Sequence, residues 1–395
     1  MFRSCSSPIR FLNYWQSFPK QLLVLAGLLV VGPALAQEEK RPSMVRRVFN
    51  KLIADSTAPG KPSFRVYPTL AYAPETSVEI GFSSMYLYQA KGDTLNRLSE
   101  ITAFTFVTLQ AQYGIWLDNA MYGDKDKWFL LGRVRFQRFP LLYYGSGPDT
   151  PGDNPAVVDA MYLIARQRLL RKVVPNFFVG PQVDVQHLYN ADFQQPREGQ
   201  AYPLPLGAEG STNVGLGLGV VYDNRHNVLN VRKGLFTELG FLSYRKTWGS
   251  SENFFGITFD NRLYRPINQR NVFAWQVYGS FMSGNVPFNL KSLLGGDMIM
   301  RGYYQGRYRD DQLLATQVEH RWLPFSFSRR IGGTVFASAG MVAPRLGELN
   351  FKLVRYTGGV GLRYLLFPKK DIFLRMDMGL TNEGPGFYIM TGEAF

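Results

Sequence analysis

The sequence predicts an all-β protein: a 16-stranded antiparallel transmembrane β-barrel with a short N-terminal periplasmic segment. Three observations carry this. From Ser63 to Phe395, apolar and polar residues alternate in segments about ten residues long, the length of a tilted membrane strand. The long connections follow only odd-numbered segments. Beyond the first 36 residues, no stretch offers about 18 uncharged apolar residues, so no transmembrane helix is expected. Composition agrees: 39 glycines, 23 prolines and 15% aromatics favour strands and turns over helices.

Residues 1–36 read as a signal peptide. Arg3, Arg10 and Lys20 precede an apolar run from Leu22 to Ala36, which ends in Ala34-Leu35-Ala36 before polar Gln37. Cys5, the one cysteine, lies in this leader, so the mature chain has no disulfide and no cysteine metal site. Residues 37–62 form a periplasmic prefix. Its stretch "MVRRVFNKLIA" sets Met44, Val45, Val48, Phe49, Leu52 and Ile53 on one helical face and Arg46, Arg47 and Lys51 on the other. This predicts a small amphipathic helix, packed on its own domain or laid on the membrane surface.

Residues 63–395 are the barrel. "KWFLLGRVRFQ" puts Trp128, Leu130, Val134 and Phe136 opposite Arg133, Arg135 and Gln137. "NFFGITFDNRL" puts Phe255, Ile257, Phe259 and Leu263 opposite Thr258, Asp260 and Arg262. "NVFAWQVYGSF" and "DIFLRMDMGL" alternate likewise, because successive strand side chains point to opposite faces. Sixteen such segments begin near residues 64, 77, 99, 111, 127, 160, 174, 213, 234, 253, 271, 312, 331, 350, 371 and 386. An even count suits a bacterial barrel. The long connections, near 139–159, 188–212 and 283–310, all lie at one end, as outer loops do.

With apolar faces toward lipid, Arg133, Arg135, Arg166, Arg168, Arg262, Arg321 and Arg375 line the lumen, joined by Asp184, Asp260, Glu319 and Asp377. The expected lumen is wet and net basic. Two roles stay open for it: a structural network of ion pairs, or an anion-attracting pore. Catalysis is not expected. His187 and His320 share the apolar faces of their strands, His226 sits in a turn, and no serine–histidine spacing is evident. The Gly-rich stretch "GGDMIMRGYYQGRYRDDQ" lacks the G-x-x-x-x-G-K-[ST] spacing of a phosphate loop. The net charge of +14 needs no nucleic acid, since a basic lumen and lipopolysaccharide-facing loops account for it.

The segment "MRGYYQGRYRDD", between the eleventh and twelfth strands, resembles the signature of the BamA/TamA family, the bacterial surface antigen family of outer-membrane proteins: an apolar residue followed by Arg-Gly-Tyr/Phe, here Met300, Arg301, Gly302 and Tyr303. "YPTLAYAPETSVEIGFSS", "FPLLYYGSG", "VVYDNRHNVLNVRKG" and "TQVEHRWLPF" are similar to other family stretches. The terminal "GFYIMTGEAF", with Phe387, Ile389, Gly392 and Phe395, resembles the signal by which barrels are recognised for insertion. The resemblance covers residues 63–395.

The resemblance implies that the long loop folds back into the barrel, where Arg301 pairs with acids on the next two strands. Alternation makes Glu319 its inward partner; Gly302 lets the backbone turn tightly, and Tyr303 packs against the wall with its hydroxyl hydrated. Where the family has Phe-x-Asp on strand thirteen, this chain has Phe336-Ala337-Ser338, so the second acid is missing and a weaker latch is expected. In a partly screened lumen, losing Arg301 should cost about 1–3 kcal/mol. The resemblance further implies non-enzymatic help in inserting or translocating proteins, or lipids, through a weak seam between strands 1 and 16. The alternative is a passive or substrate-specific channel. The prefix is too short for the periplasmic POTRA domains of assembly members. Expected partners are outer-membrane lipids and envelope or client proteins, with no cofactor and no nucleic acid, around a monomeric barrel.

Overall fold

The structure, a computed structural model, describes residues 61–395 except 110, 197, 200, 227–229 and 369–370. The leader and the prefix helix lie outside the described residues. Sixteen wall strands follow, besides three-residue strands in the long loops. The first five are β1 (Ser63–Ala73), β2 (Ser77–Gln89), β3 (Leu98–Thr108), β4 (Tyr113–Tyr122) and β5 (Trp128–Arg138). Then come β6 (Ala156–Val174), β7 (Phe177–Gln194), β8 (Ser211–Asp223), β9 (Gly234–Tyr244), β10 (Phe254–Pro266) and β11 (Asn271–Gly284). The last five are β12 (Gln312–Trp322), β13 (Ile331–Ala343), β14 (Arg355–Phe367), β15 (Ile372–Thr381) and β16 (Gly384–Thr391). Each pairs antiparallel with its sequence neighbours, and β16 meets β1 to close the barrel.

The alternation sorts side chains as a membrane barrel requires. Phe82, Ile115, Leu218 and Leu362 stand outward and exposed, forming the lipid-facing band. Glu319, Arg321, Arg363, Arg375 and Asp377 are buried inside. Buried charges of this kind are tolerated only when paired. Connections after even-numbered strands run from two to ten residues. The longest, after β5, β7 and β11, cover 139–155, 195–210 and 285–311, all at the opposite end. That segregation makes the long-loop end extracellular and the short-turn end periplasmic.

Strand starts deviate in two places for local reasons. The fourteenth strand begins at Arg355 rather than near 350, because Asn350 accepts a hydrogen bond from the Lys352 amide and sets up a 3-10 turn. Strands β6 and β7 reach farther than the membrane needs, 19 and 18 residues, because their extracellular ends, away from the hairpin turn, are packed. Ala156, Val158, Tyr162 and Leu188 cluster there with Tyr143 and Phe288 from the neighbouring long loops. Those loops are knitted together: Gly147 bridges Arg309, and Arg309 donates to the Leu142 carbonyl at 2.8 Å.

Candidate functional site

The loop between β11 and β12 carries the Arg-Gly-Tyr segment into the barrel. Two short strands, Ser292–Leu294 and Tyr308–Asp310, pair as its stem. Met300 and Tyr303 are buried with Leu294, Tyr308, Leu313 and Val342, which fixes the loop base by apolar packing. At Gly302 the backbone takes φ +115° and lies against β15. A Cβ there would stand 2.6 Å from Thr381 Cγ2 and 3.1 Å from the Gly379 backbone. One built on Gly379 would meet the Arg301 carbonyl at 2.3 Å, so both sides of this contact depend on glycine.

Arg301 is fully buried. One nitrogen of its guanidinium donates to Glu319, the other to Asp377 Oδ2 at 2.6 Å. The guanidinium centre lies 3.6 Å from the centre of the Phe336 ring, a close cation–π contact. The expectation of a missing second acid is therefore corrected: Asp377 on β15 supplies it, while β13 contributes the Phe336 ring. Ser338 lies in register with Gln317, and among the described residues its hydroxyl has no partner. The network continues outward. Arg321 donates to Glu319 at 2.6 Å, and Arg363 donates to Asp377 at 2.5 Å and to both oxygens of Glu393. Arg375 donates to Asp377 at 3.3 Å and Asp297 at 2.8 Å. Four guanidiniums thus face four carboxylates, which is how so much charge is held away from water.

The loop also touches both flanks of the β1–β16 junction. The Gly302 amide donates to the Tyr388 hydroxyl at 3.0 Å, and that hydroxyl donates to the Tyr303 carbonyl at 3.3 Å. The Tyr303 hydroxyl donates to Asn382 in the β15–β16 turn. Arg307 and Tyr308 bond Glu383 in the same turn. On the other flank, the Gln305 amide donates at 2.8 Å to Glu75, in the turn between β1 and β2. Burial, reinforced by Asp297 and Glu79, pushes the Glu75 carboxyl up to about 7.

The junction is thin. Its ladder consists of one pair, Tyr72↔Ile389, whereas β15 and β16 share a ladder running from Leu374↔Thr391 to Thr381↔Gly384. Gly392, at φ +89°, ends β16 and directs the last three residues inward. Glu393 joins Arg363, and the Phe395 ring covers Arg321 at 4.8 Å while its carbonyl accepts from the same guanidinium at 3.1 Å. Phe387 and Ile389 stay on β16, but Phe395 belongs to an inner cluster with Val231, Tyr264, Ala274 and Ala394.

The seven lining arginines each meet a carboxylate. Arg166 is 3.0 Å from Asp184, Arg168 and Arg262 are 2.5 Å from Glu238 and Asp260, and Arg321 and Arg375 belong to the latch network. Arg133 and Arg135 share Asp118 at 4.0 and 3.6 Å. Much of the basic wall is thus paired, and on β5 two guanidiniums share one carboxylate. Tyr388, Glu75 and Glu383 escaped the sequence reading, because their partners lie 75 to 230 residues away and no local pattern marks them.

A closed barrel with an internally latched loop defines an outer-membrane β-barrel that holds a long loop against its inner wall. A family model described as the Omp85 superfamily domain matches residues 175–366. Among solved structures, the chain is similar to BamA from Haemophilus ducreyi lacking POTRA domains 1-3: TM-score 0.54 and 14% identity, over 84% of this chain and 70% of that one. CdiB from Acinetobacter baumannii gives 0.54 and 10%, over 83% of this chain and 65% of that one. CdiB from Escherichia coli gives 0.56 and 9%, over 86% and 63%. The chain thus spans just under two thirds of either CdiB. No curated protein sequence matches the chain. Over residues 175–366 the chain is similar to the Omp85 superfamily domain, its fold is that of a BamA-like barrel, and its place is the bacterial outer membrane.

Proposed function

We propose that the barrel helps insert or translocate polypeptides at the outer membrane through the seam between β1 and β16, without enzymatic chemistry. The observation that carries this reading is the single-pair ladder Tyr72↔Ile389. Below that pair no residue of β16 stands in register with β1. A strand edge of this kind is a template for an incoming strand, whose backbone groups need partners as they leave water. The inner loop supports the same reading: it grips Tyr388 and Glu383 on one side of the seam and Glu75 on the other, so its position and the width of the seam are mechanically linked. Protein clients are the expected partners, with lipids the alternative cargo.

Tethering the seam tests this. Ala71 and Met390 adjoin the Tyr72↔Ile389 pair along the antiparallel register. A double-cysteine variant, Ala71→Cys with Met390→Cys, should lose its contribution to envelope integrity when oxidised and regain it on reduction. Full function in the oxidised form sinks the lateral mechanism. The channel reading rests on the open Arg133–Asp118–Arg135 cluster, where Arg133 keeps half of its side chain exposed. It requires steady, ohmic conductance of the intact barrel in planar bilayers.

A further inference from the structure

The two ends of the barrel differ in charge. The seven periplasmic connections (90–97, 123–127, 175–176, 224–233, 267–270, 323–330 and 368–371) hold twelve lysines and arginines against four aspartates. The eight extracellular connections hold nine against eleven acidic residues. Part of the periplasmic excess is neutralised: Arg97 pairs with Asp126, and Arg232 pairs with Asp371 while bonding the carbonyls of Gln269 and Leu323. Arg232 thereby fastens three turns together. Among the described residues, Arg270, Arg329 and Arg330 have no carboxylate within ion-pair distance, and all three are exposed.

These arginines sit on adjoining turns. Arg270 donates to the Phe325 carbonyl at 3.3 Å, and Arg330 reaches the Tyr364 hydroxyl at 3.5 Å with its guanidinium above the Tyr364 ring. Beside them the rings of Trp322, Phe325 and Phe327 stack in series, and Phe327 is 82% exposed. Ile331 and Val335, exposed on β13, continue from this patch up the outer face of the barrel. Exposed aromatics followed by an apolar wall mark where the hydrocarbon begins, and free guanidiniums just beyond them stand at headgroup depth.

We propose that this periplasmic-rim cluster binds the phosphate headgroup of an anionic glycerophospholipid in the inner leaflet of the outer membrane. The guanidiniums of Arg270, Arg329 and Arg330 hold the phosphate through charge-assisted, fork-shaped hydrogen bonds. The acyl chains lie along Ile331 and Val335. Three cations without protein counter-ions, placed where the lipid phosphates lie, favour an anionic lipid over a zwitterionic one.

The test uses the purified full chain in detergent and counts bound lipid by native mass spectrometry, with dioleoyl phosphatidylglycerol against dioleoyl phosphatidylcholine. The wild type should prefer phosphatidylglycerol by roughly tenfold, an effect weakened by salt. Arg270→Gln/Arg329→Gln/Arg330→Gln should bind both lipids within about twofold of each other. Arg345→Gln/Lys352→Gln, on the extracellular side, should retain the preference. A photoactivatable phosphatidylglycerol on the wild type needs no variant, and its crosslinks should map to residues 322–331. Equal binding of the two lipids by the wild type overturns the proposal and leaves the cluster to an acidic polypeptide. An unchanged preference in the triple variant, or crosslinks spread evenly around the rim, overturns it as well.

Discussion

Replacing Arg301 with alanine removes the centre of the latch, and the structure sets the size of the effect. Arg301 is fully buried, bonded to Glu319 and Asp377, with its guanidinium on the Phe336 ring. Removing one partner of a buried ion pair costs about 3–5 kcal/mol, above the 1–3 kcal/mol expected for a screened lumen. Two features pull toward the lower end. Glu319 keeps Arg321, and Asp377 keeps Arg363 and Arg375, so neither carboxylate is orphaned. Against that, a cluster of four cations and four anions is left with one excess negative charge. A loss of about 3 kcal/mol is expected, read from urea unfolding of the refolded barrel in lipid vesicles. Arg301→Lys should recover only part of it, because an ammonium cannot bridge two carboxylates and cover a ring at once. The decisive measurement is a double-mutant cycle with Glu319→Gln, where a coupling of about 1–3 kcal/mol is expected. Strictly additive losses would show that the two side chains do not interact, and the latch geometry would be wrong.

Three further outcomes are expected. Gly302→Ala forces a side chain into a left-handed backbone, 3.1 Å from the Gly379 backbone, and should cost about 2–3 kcal/mol with the loop displaced from β15, seen as faster proteolysis within 298–309. Glu75 has a folded pKa of about 7 against an ordinary 4.5, so the folded state holds its proton more tightly; the stability this contributes is complete below about pH 4.5 and is lost as pH rises through 7, by about 3 kcal/mol in all. Unfolding midpoints at pH 5 and pH 8 should differ accordingly, and Glu75→Gln should largely remove the difference; a wild type insensitive to pH across this window refutes it. Phe395→Ala loses the ring over Arg321 and should lower the stability of the refolded barrel by about 2–4 kcal/mol; an unchanged stability with slow assembly in cells would instead make Phe395 an assembly signal alone.

Much of the fold was legible before any coordinates. The period-two alternation marks strands because a strand in a barrel wall has one face toward lipid and one toward the lumen. Loop lengths gave the orientation, since turns at the two ends face different demands. Arg301 and Glu319 were legible for the same reason: one lies in a motif, and the other lies on the inward face of the strand that follows. What the alternation leaves open is which inward residues meet. Asp377 was visible as an inward acid on β15, yet its contact with Arg301 spans 76 residues and depends on how far the loop reaches across the lumen. The pairing of the lumen charges was out of reach for that reason: a count of inward residues leaves out the acids on the loop and the chain end, Asp297 and Glu393, that the closed barrel brings to them. The inward turn of Phe395 and the single-pair seam follow likewise from Gly392 and from the closure geometry. Alternation is a local property, set by the two faces of each strand. The pairing of charges across the lumen is set by strand stagger and loop path, which exist only once the barrel has closed.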